Sequence, residues 1–580
     1  MALLREIFLI KQMFDRNLKY RVIIASTALL FSFSLCLLGY IDYFQSYGIS
    51  FKRGGVALVF VVVLTVLIFL ILQFVITKQF SGNLTLALKS LGFSWFIAVL
   101  LSPCFAPVPH YPVSPLFRPI SHIKIILKPE ANMENLQLKG VWLRFDEETY
   151  SSKDFSFSSE WISTNNKYFL LENAQGELYW EDRIGEHATL TIFPPDGQTR
   201  VTVLWDGDET SSTLVDTPLV VKRKNATPLW YYALIILLRT ICFGGAIFVF
   251  FNHYQWLGDS KFRQFIVVLI LTLLTVYTVY AQFENPEIKN RLEIQEGRHI
   301  AVLTGTSLNP WQYRVFAEWL IEGVMWLSNS LGISSGYFAV FLVLRLTQNA
   351  IIYSSVNLFF QKLGFSKLVT LIGILFVTGS MLNSFHQSDL SFNTYFDVIF
   401  YLVAALLILK NLFIWLPALM MAASMNRETS GLIPFLAASL LPGSQNWRSK
   451  IFPIVLSLGI WIGVFIFLRT LYPDRDLFVP YGYQPGFPLL SYNFTLSSFE
   501  LLVRFFSFAP VVGILVYRDW TPVLRRFFIT LIPIWFLVHF IGSVVSEARL
   551  FLAPHLLVFI PTFLVFVQRH CGKYFPLRDI

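Results

Sequence analysis

The chain has 580 residues, 55% hydrophobic and only 14% charged, against roughly 25% charged in an ordinary globular protein. Phe alone fills 58 positions, and the mean hydropathy is +0.59. These values exclude a disordered chain, a nucleic-acid-binding domain and a secreted disulfide scaffold, and they leave the net charge of +9 to be read as membrane orientation.

A membrane-spanning helix needs about 20 mainly apolar residues. The first such stretches fall at 22–42, 55–77 and 85–105, giving an N-terminal three-helix segment, 1–105. Arg5, Lys11, Arg16, Lys19 and Arg21 precede the first, which puts the N-terminus in the cytoplasm. That stretch is a full span with no small-residue cleavage site after it, so it is not read as a cleavable signal.

Residues 106–228 change character. His122–Leu127, Val141–Phe145, Ala188–Phe193 and Arg200–Trp205 alternate apolar and polar residues, separated by turn signals such as Pro194-Pro-Asp-Gly197 and Asp206-Gly-Asp208. The segment predicts an antiparallel β-sandwich outside the cytoplasm. Trp142, Trp161, Trp180 and Trp205 are the residue type that stacks on sugar rings, and equally the type that fills a small β core.

From 229 to 580 the chain reads as a transmembrane module. Spans are expected at 230–252, 263–282, 335–360, 366–385, 393–409, 451–471, 502–517, 526–546 and 549–568. The apolar stretch 411–441 is interrupted by Pro417 and Asn426-Arg-Glu-Thr429. The basic turns at Lys261/Arg263, Lys362/Lys367, Arg448/Lys450 and Arg518/Arg525/Arg526, and the basic C-terminus, share one side only if this stretch crosses twice. The sequence therefore predicts a short hairpin with a recessed tip, 14 crossings, and both termini in the cytoplasm.

Polar residues then collect on the outer side. An acidic loop, 283–315, holds Glu284, Glu287, Glu293, Glu296 and His299, and leads through Asn309-Pro310 into an amphipathic interfacial helix. Arg314, Glu318 and Glu322 form its polar face, and Trp311, Val315, Trp319 and Trp326 its apolar face. His386 and Asp389 follow, then Asp397 just inside a span, Arg427 and Glu428 at the hairpin tip, the loop 472–500, and Glu547 and Arg549 near the last span. Charges at membrane depth are costly, which makes each a candidate site residue; Arg427–Glu428, Asp474–Arg475 and Glu547–Arg549 also read as ion pairs that tie helix ends. Arg345, Gln348 and Asn349 share a helix face, either as a polar lining or as interhelical hydrogen bonders. The four cysteines and the isolated histidines show no metal-ligand spacing, and no phosphate loop, nucleophile elbow or redox pair is present. No nucleotide or redox cofactor is expected, and a divalent metal has no ligand set to support it. Asn225-Ala-Thr and Asn493-Phe-Thr are sequon triplets expected outside.

From about residue 263 onward, the order of features resembles the GT-C superfamily of polytopic glycosyltransferases. The resemblance rests on the acidic outer loop after a span, the interfacial Gln312-Tyr-Arg-Val-Phe316, the turn His386-Gln-Ser-Asp-Leu390, the hairpin Asn426-Arg-Glu-Thr429 and the final Glu547-Ala-Arg549. It implies a GT-C-like helical fold with an inserted β-sandwich, and sugar transfer from a polyprenyl-phosphate donor to an extracytoplasmic glycan or lipid. It implies Glu284 or Glu287 as base, with Glu293 and Glu296 behind them, Asp389 as a second acid, and Arg314, Arg427 and Arg549 as phosphate binders with His386 and Glu428 beside them. The acidic loop departs from the family in lacking an Asp-x-Asp or Asp-Glu pair. The chain is read as a multi-pass protein of a bacterial inner membrane, with the endoplasmic reticulum as the alternative. Two other classes stay open: a lipid or polysaccharide transporter, and an assembly component that docks a protein partner through 106–228.

Overall fold

The computed structural model describes residues 22–38, 51–79, 84–105, 120–129, 136–145, 148–164, 167–171, 174–185, 187–193, 198–215, 217–224, 229–254, 260–284, 286–332, 336–384, 391–441, 447–472, 475–479 and 482–574. The chain divides into two compact units, residues 1–69 with 106–242, and residues 70–105 with 243–580. The boundaries at 69/70 and 242/243 fall inside helices.

In the first unit, α1 (Val22–Leu38) places Leu37 and Leu38 against Tyr231, Ile235 and Leu238 of α4 (Leu229–Tyr254). Helix α2 (Phe51–Gln79) begins here and is apolar all round. The β region has twelve strands, among them β1 (Ile120–Pro129), β3 (Val141–Phe145), β8 (Gly176–Arg183), β9 (His187–Ile192), β10 (Thr199–Trp205), β11 (Asp208–Leu214) and β12 (Leu219–Lys224). With β2 (Leu136–Leu138), β4 (Glu148–Ser151), β5 (Ser156–Phe157), β6 (Trp161–Thr164) and β7 (Lys167–Leu170), they form antiparallel sheets of five strands (β11-β10-β1-β8-β5), four (β12-β9-β3-β4) and three (β2-β7-β6). The four stretches of alternation fall on β1, β3, β9 and β10, and their inward residues do the packing. Ile123, Ile125 and Leu127 of one sheet meet Val141, Leu143, Phe145, Leu190 and Ile192 of another in a single core. Trp161, Trp180 and Trp205 are buried in it, so packing accounts for three of the four tryptophans, whereas Trp142 is 53% exposed. Asp206 and Gly207, both at positive φ, make the two-residue turn between β10 and β11.

The second unit is helical. Its elements are α3 (Leu84–Leu101), α5 (Ser260–Glu284), α6 (Pro286–Leu303), α7 (Val315–Ser330), α8 (Tyr337–Lys362), α9 (Lys367–Asn383), α10 (Phe392–Leu409), α11 (Leu416–Asn426), α12 (Leu432–Ser439), α13 (Trp447–Leu471), α14 (Phe487–Asn493), α15 (Leu496–Phe506), α16 (Ala509–Leu515), α17 (Pro522–Gly542) and α18 (Ala548–Cys571). Helices α10 and α18 are the most enclosed, packed on α8, α9, α12 and α16 around Tyr353, Phe376, Tyr401, Trp535 and Phe563.

Among the described residues, nine helices are long and apolar enough to cross a membrane, or ten if the bent pair α15–α16 counts as one. Of the expected stretches, the described part of 22–42 is α1, residues 39–42 lying outside the described residues; 366–385 yields a helix of 17 residues, α9, and 502–517 is broken by a 66° bend at Ser507. Ser507 sits at φ +54 and its hydroxyl donates to the Leu100 carbonyl, so the helix stops there and α16 restarts with a proline in its first turn.

The stretch 411–441 is a hairpin, with arms α11 and α12 of 11 and 8 residues, each too short to span. Its base is pinned where Lys450 Nζ donates to Asn411 Oδ1 at 2.8 Å, near the start of α13. Its turn lies against the middle of the same helix, where Trp461 Nε1 donates to the Glu428 carbonyl at 3.1 Å. Helix α13 runs ten more residues, about 15 Å, beyond that level, so the tip is recessed.

Candidate functional site

Of the charged residues singled out by the sequence, the hairpin turn brings together Arg314, Asp397, Arg427, Glu428, Glu547 and Arg549. Arg427, at φ −162 and ψ 145, leaves the helical conformation and ends α11; Glu428–Gly431 make one 3-10 turn before α12. This backbone is buried, so its polar groups need partners. The Tyr401 hydroxyl donates to the Thr429 carbonyl at 2.5 Å, and Asn426 Nδ2 donates to the Asn393 carbonyl at 2.8 Å. Gly431 lets Trp461 approach: a Cβ there would lie 2.6 Å from the indole ring.

An extended residue sends its side chain opposite to the next one. Arg427 and Glu428 accordingly do not pair with each other. Arg427 Nη1 faces Asp397 Oδ2 of α10 at 3.6 Å, and the Thr429 hydroxyl donates to the same oxygen at 3.2 Å. Glu428 Oε2 accepts from Nε and Nη2 of Arg314 at 3.3 and 3.2 Å. Of the adjacent pairs expected from sequence, Glu547–Arg549 forms, with Arg549 Nη2 2.8 Å from Glu547 Oε2. Asp474 lies outside the described residues. Arg549 Nη1 also donates to the Ser391 hydroxyl at 2.9 Å, which occupies the N-cap residue of α10. The charges of Arg314 and Arg549 both act on Arg427, and that of Arg469 acts on Glu428.

Among the described residues the site thus holds Arg314, Arg427, Arg469 and Arg549 with Asp397, Glu428 and Glu547, one cation more than carboxylates. The Asp397–Arg427 contact is long and uses one oxygen and one nitrogen, unlike the bidentate fork of a strong structural pair. Asp397 Oδ1, Arg427 Nε and Glu428 Oε1 are buried with no hydrogen-bond partner among the described residues. Buried polar atoms of this kind are rare in a finished core and are what a polar ligand satisfies.

Two elements frame the cluster. Arg314 precedes α7, after a 3-10 turn at Trp311–Tyr313 and the cis peptide Asn309–Pro310. The expected helix start at Pro310 is displaced to Val315, because Asn309 is held extended: its N–H donates to the Asp476 carbonyl and its carbonyl accepts from Phe478 N–H, at 2.9 and 2.8 Å. On the other side, Asn493 at the end of α14 fixes the chain leading to Glu547. Its Nδ2 donates to the carbonyls of Phe540 and Ser543 at 2.9 and 2.8 Å, and its Oδ1 accepts from Val545 N–H at 2.9 Å.

The acidic loop 283–315 is mostly helix. Pro286 starts α6, and Leu292, Gln295, His299 and Val302 recur at helical spacing on its inward face, a signal masked by the polarity of the remainder. On the expected polar face of α7, Glu318 is buried against α6 while Glu322 stays exposed. His299 Nδ1 lies 2.8 Å from Glu318 Oε2 and its Nε2 lies 3.0 Å from Glu322 Oε1, while Trp319 and Trp326 are exposed. Burial disfavours the charged imidazole, but the hydrogen bonds and charges of Glu318 and Glu322 outweigh it and raise His299 above its ordinary value.

Glu284 closes α5 and Glu287 stands in the first turn of α6, with side chains outside the described residues; His386 and Asp389 lie outside them altogether. Arg345 is buried among the rings of Tyr395, Phe392 and Phe341, at 4.1, 5.0 and 5.3 Å, and Gln348 Nε2 donates to the Phe392 carbonyl at 3.1 Å, an interhelical role. Among the described residues, no three His, Cys, Asp or Glu side chains are placed to hold a metal ion. Sequence reasoning missed Arg469, Ser391, Tyr401 and Trp461, which carry no motif and enter only through tertiary packing.

Compared with family models, curated proteins and solved structures, the chain matches none.

Proposed function

We propose that this chain is an integral-membrane glycosyltransferase that moves a sugar from a polyprenyl-phosphate donor to an extracytoplasmic glycan or lipid, with both termini in the cytoplasm of a cell whose inner membrane it spans. The observation that supports the reading is the meeting of Arg314, Arg427 and Arg549 at a buried hairpin turn, with unpartnered polar atoms on Arg427, Asp397 and Glu428. Guanidinium groups are suited to a phosphate, and they stabilise it as charge develops when the sugar leaves. A phosphate competes with Glu428 for Arg314 and takes up the open Arg427 Nε. Helices apolar enough to cross a membrane flank the cluster in the chain, as a lipid-linked donor requires.

The reaction also needs a carboxylate to activate the acceptor hydroxyl. The GT-C resemblance offers Glu284 or Glu287, at the junction of α5 and α6, and Asp389 as a second acid; the carboxylates within the arginine cluster are Asp397, Glu428 and Glu547.

The test is transfer of labelled sugar from a panel of polyprenyl-phosphate hexoses and pentoses by the purified full-length chain, with Arg549→Ala and Arg314→Ala in parallel. Transfer should fall about 10²-fold or more in each variant. If the wild type consumes no donor, or both variants match it, the enzyme reading fails and transport of an anionic lipid becomes the stronger one.

A further inference from the structure

Beyond the arginines, the geometry points to one carboxylate. We propose that Asp397 takes the proton from the acceptor hydroxyl; the inference rests on the glycosyl-transfer reading above. Asp397 is 2% exposed and stands in the second turn of α10, a rigid and enclosed helix. Its Oδ2 is occupied by the Thr429 hydroxyl and by the single contact to Arg427, which together fix the plane of the carboxylate. Its Oδ1 has no partner among the described residues. The other carboxylates of the cluster are more fully neutralised. Glu547 is bound by two nitrogens of Arg549, and Glu428 by two nitrogens of Arg314. Each cationic N–H on a carboxylate makes it a poorer proton acceptor, which leaves Asp397 as the best base.

The step balances. The acceptor O–H proton passes to Asp397 Oδ1 as the acceptor oxygen bonds the anomeric carbon. The bond from that carbon to the phosphate oxygen breaks with its electron pair, and polyprenyl phosphate leaves toward Arg427, Arg314 and Arg549. Asp397 then yields its proton to water.

A residue that only balances the Arg427 charge behaves differently from a base toward a nucleophile that carries no proton. Full-length wild type, Asp397→Asn, Asp397→Glu and Arg549→Ala are compared for consumption of labelled polyprenyl-phosphate sugars, with and without sodium azide, and for binding of the same donors. Asp397→Asn should transfer about 10²- to 10⁴-fold more slowly while still binding donor. Azide should restore its turnover, with glycosyl azide as product, and should not restore Arg549→Ala. Asp397→Glu keeps the charge but moves the oxygen, so it should lose at least tenfold in hydroxyl transfer and nothing with azide. If either Asp397 variant transfers as wild type, or azide rescues neither, Asp397 is a counter-ion and this inference falls while the transfer reading stands. A wild type that consumes no donor removes both.

Discussion

At Arg427 the competing terms are large. A guanidinium and a carboxylate are both taken out of water, and their long single contact repays only part of that cost. Removing one partner strands the other. Arg427→Gln should lower stability by about 3–5 kcal/mol, and the double variant Arg427→Gln/Asp397→Asn should recover much of it. Thermal unfolding of the solubilised protein checks this, and equal melting of single and double variants would show the two charges to be uncoupled. The sequence exposed these residues because charges inside apolar stretches are conspicuous. It could not show who pairs with whom: Arg427 and Glu428 are neighbours in the chain, yet an extended backbone turns them toward different partners, Asp397 on α10 and Arg314 ahead of α7.

Among the elements, the hairpin and the α6–α7 pair show two kinds of legibility. The hairpin was readable from Pro417, the polar tip and the charge balance of the flanking turns. Its close seat on α13 was not, since that depends on Gly431 facing Trp461. Gly431→Ala puts a methyl 2.6 Å from the indole, so Trp461 must shift and loosen its bond to the Glu428 carbonyl. A loss of about 1–3 kcal/mol is expected, with a matching fall in transfer, and unchanged melting and transfer would refute the close contact. Between α6 and α7, His299 bridges two glutamates only when both ring nitrogens carry protons. Its proton affinity is raised in the fold, so the stabilisation is complete below the ordinary value of 6.5 and is lost as pH rises through the raised value. The melting difference between wild type and His299→Ala should therefore be largest in acid and shrink toward alkaline pH. The opposite trend would remove the bridge. Reading α6 as a loop failed because its apolar stripe is narrow and flanked by many charges.

For the whole molecule, composition was the strongest guide. Side chains such as Phe60, Val268 and Phe452 are 66, 61 and 68% exposed on α2, α5 and α13, a surface unsuited to water. The number of crossings was less legible, because apolar length cannot distinguish a straight span from the bend at Ser507 or the short arms of the hairpin. The β region is separable on other grounds: its strands pair with one another and fill their own core. Residues 119–224 expressed alone should fold as a β protein, and Leu190→Ala should cost it about 2–5 kcal/mol in urea unfolding. A non-cooperative transition in the unmutated fragment would contradict an autonomous core. The proposed orientation places this region and the cytoplasmic turns on opposite sides. In a chain stripped of its four cysteines, Lys153→Cys should react with an impermeant maleimide on intact cells, and Arg518→Cys only after lysis.

The Asn493 clamp constrains how the protein can be made. Both amide protons and the amide oxygen of this buried side chain are spent on the chain before Glu547. The same asparagine opens the triplet Asn493-Phe-Thr, so production in a host with an N-glycosylating secretory pathway sets two fates in competition for one nitrogen. A glycan would remove one of its two donors and add bulk where there is no room. Chains modified there should lose the anchored position of Arg549, and a bacterial host avoids that loss.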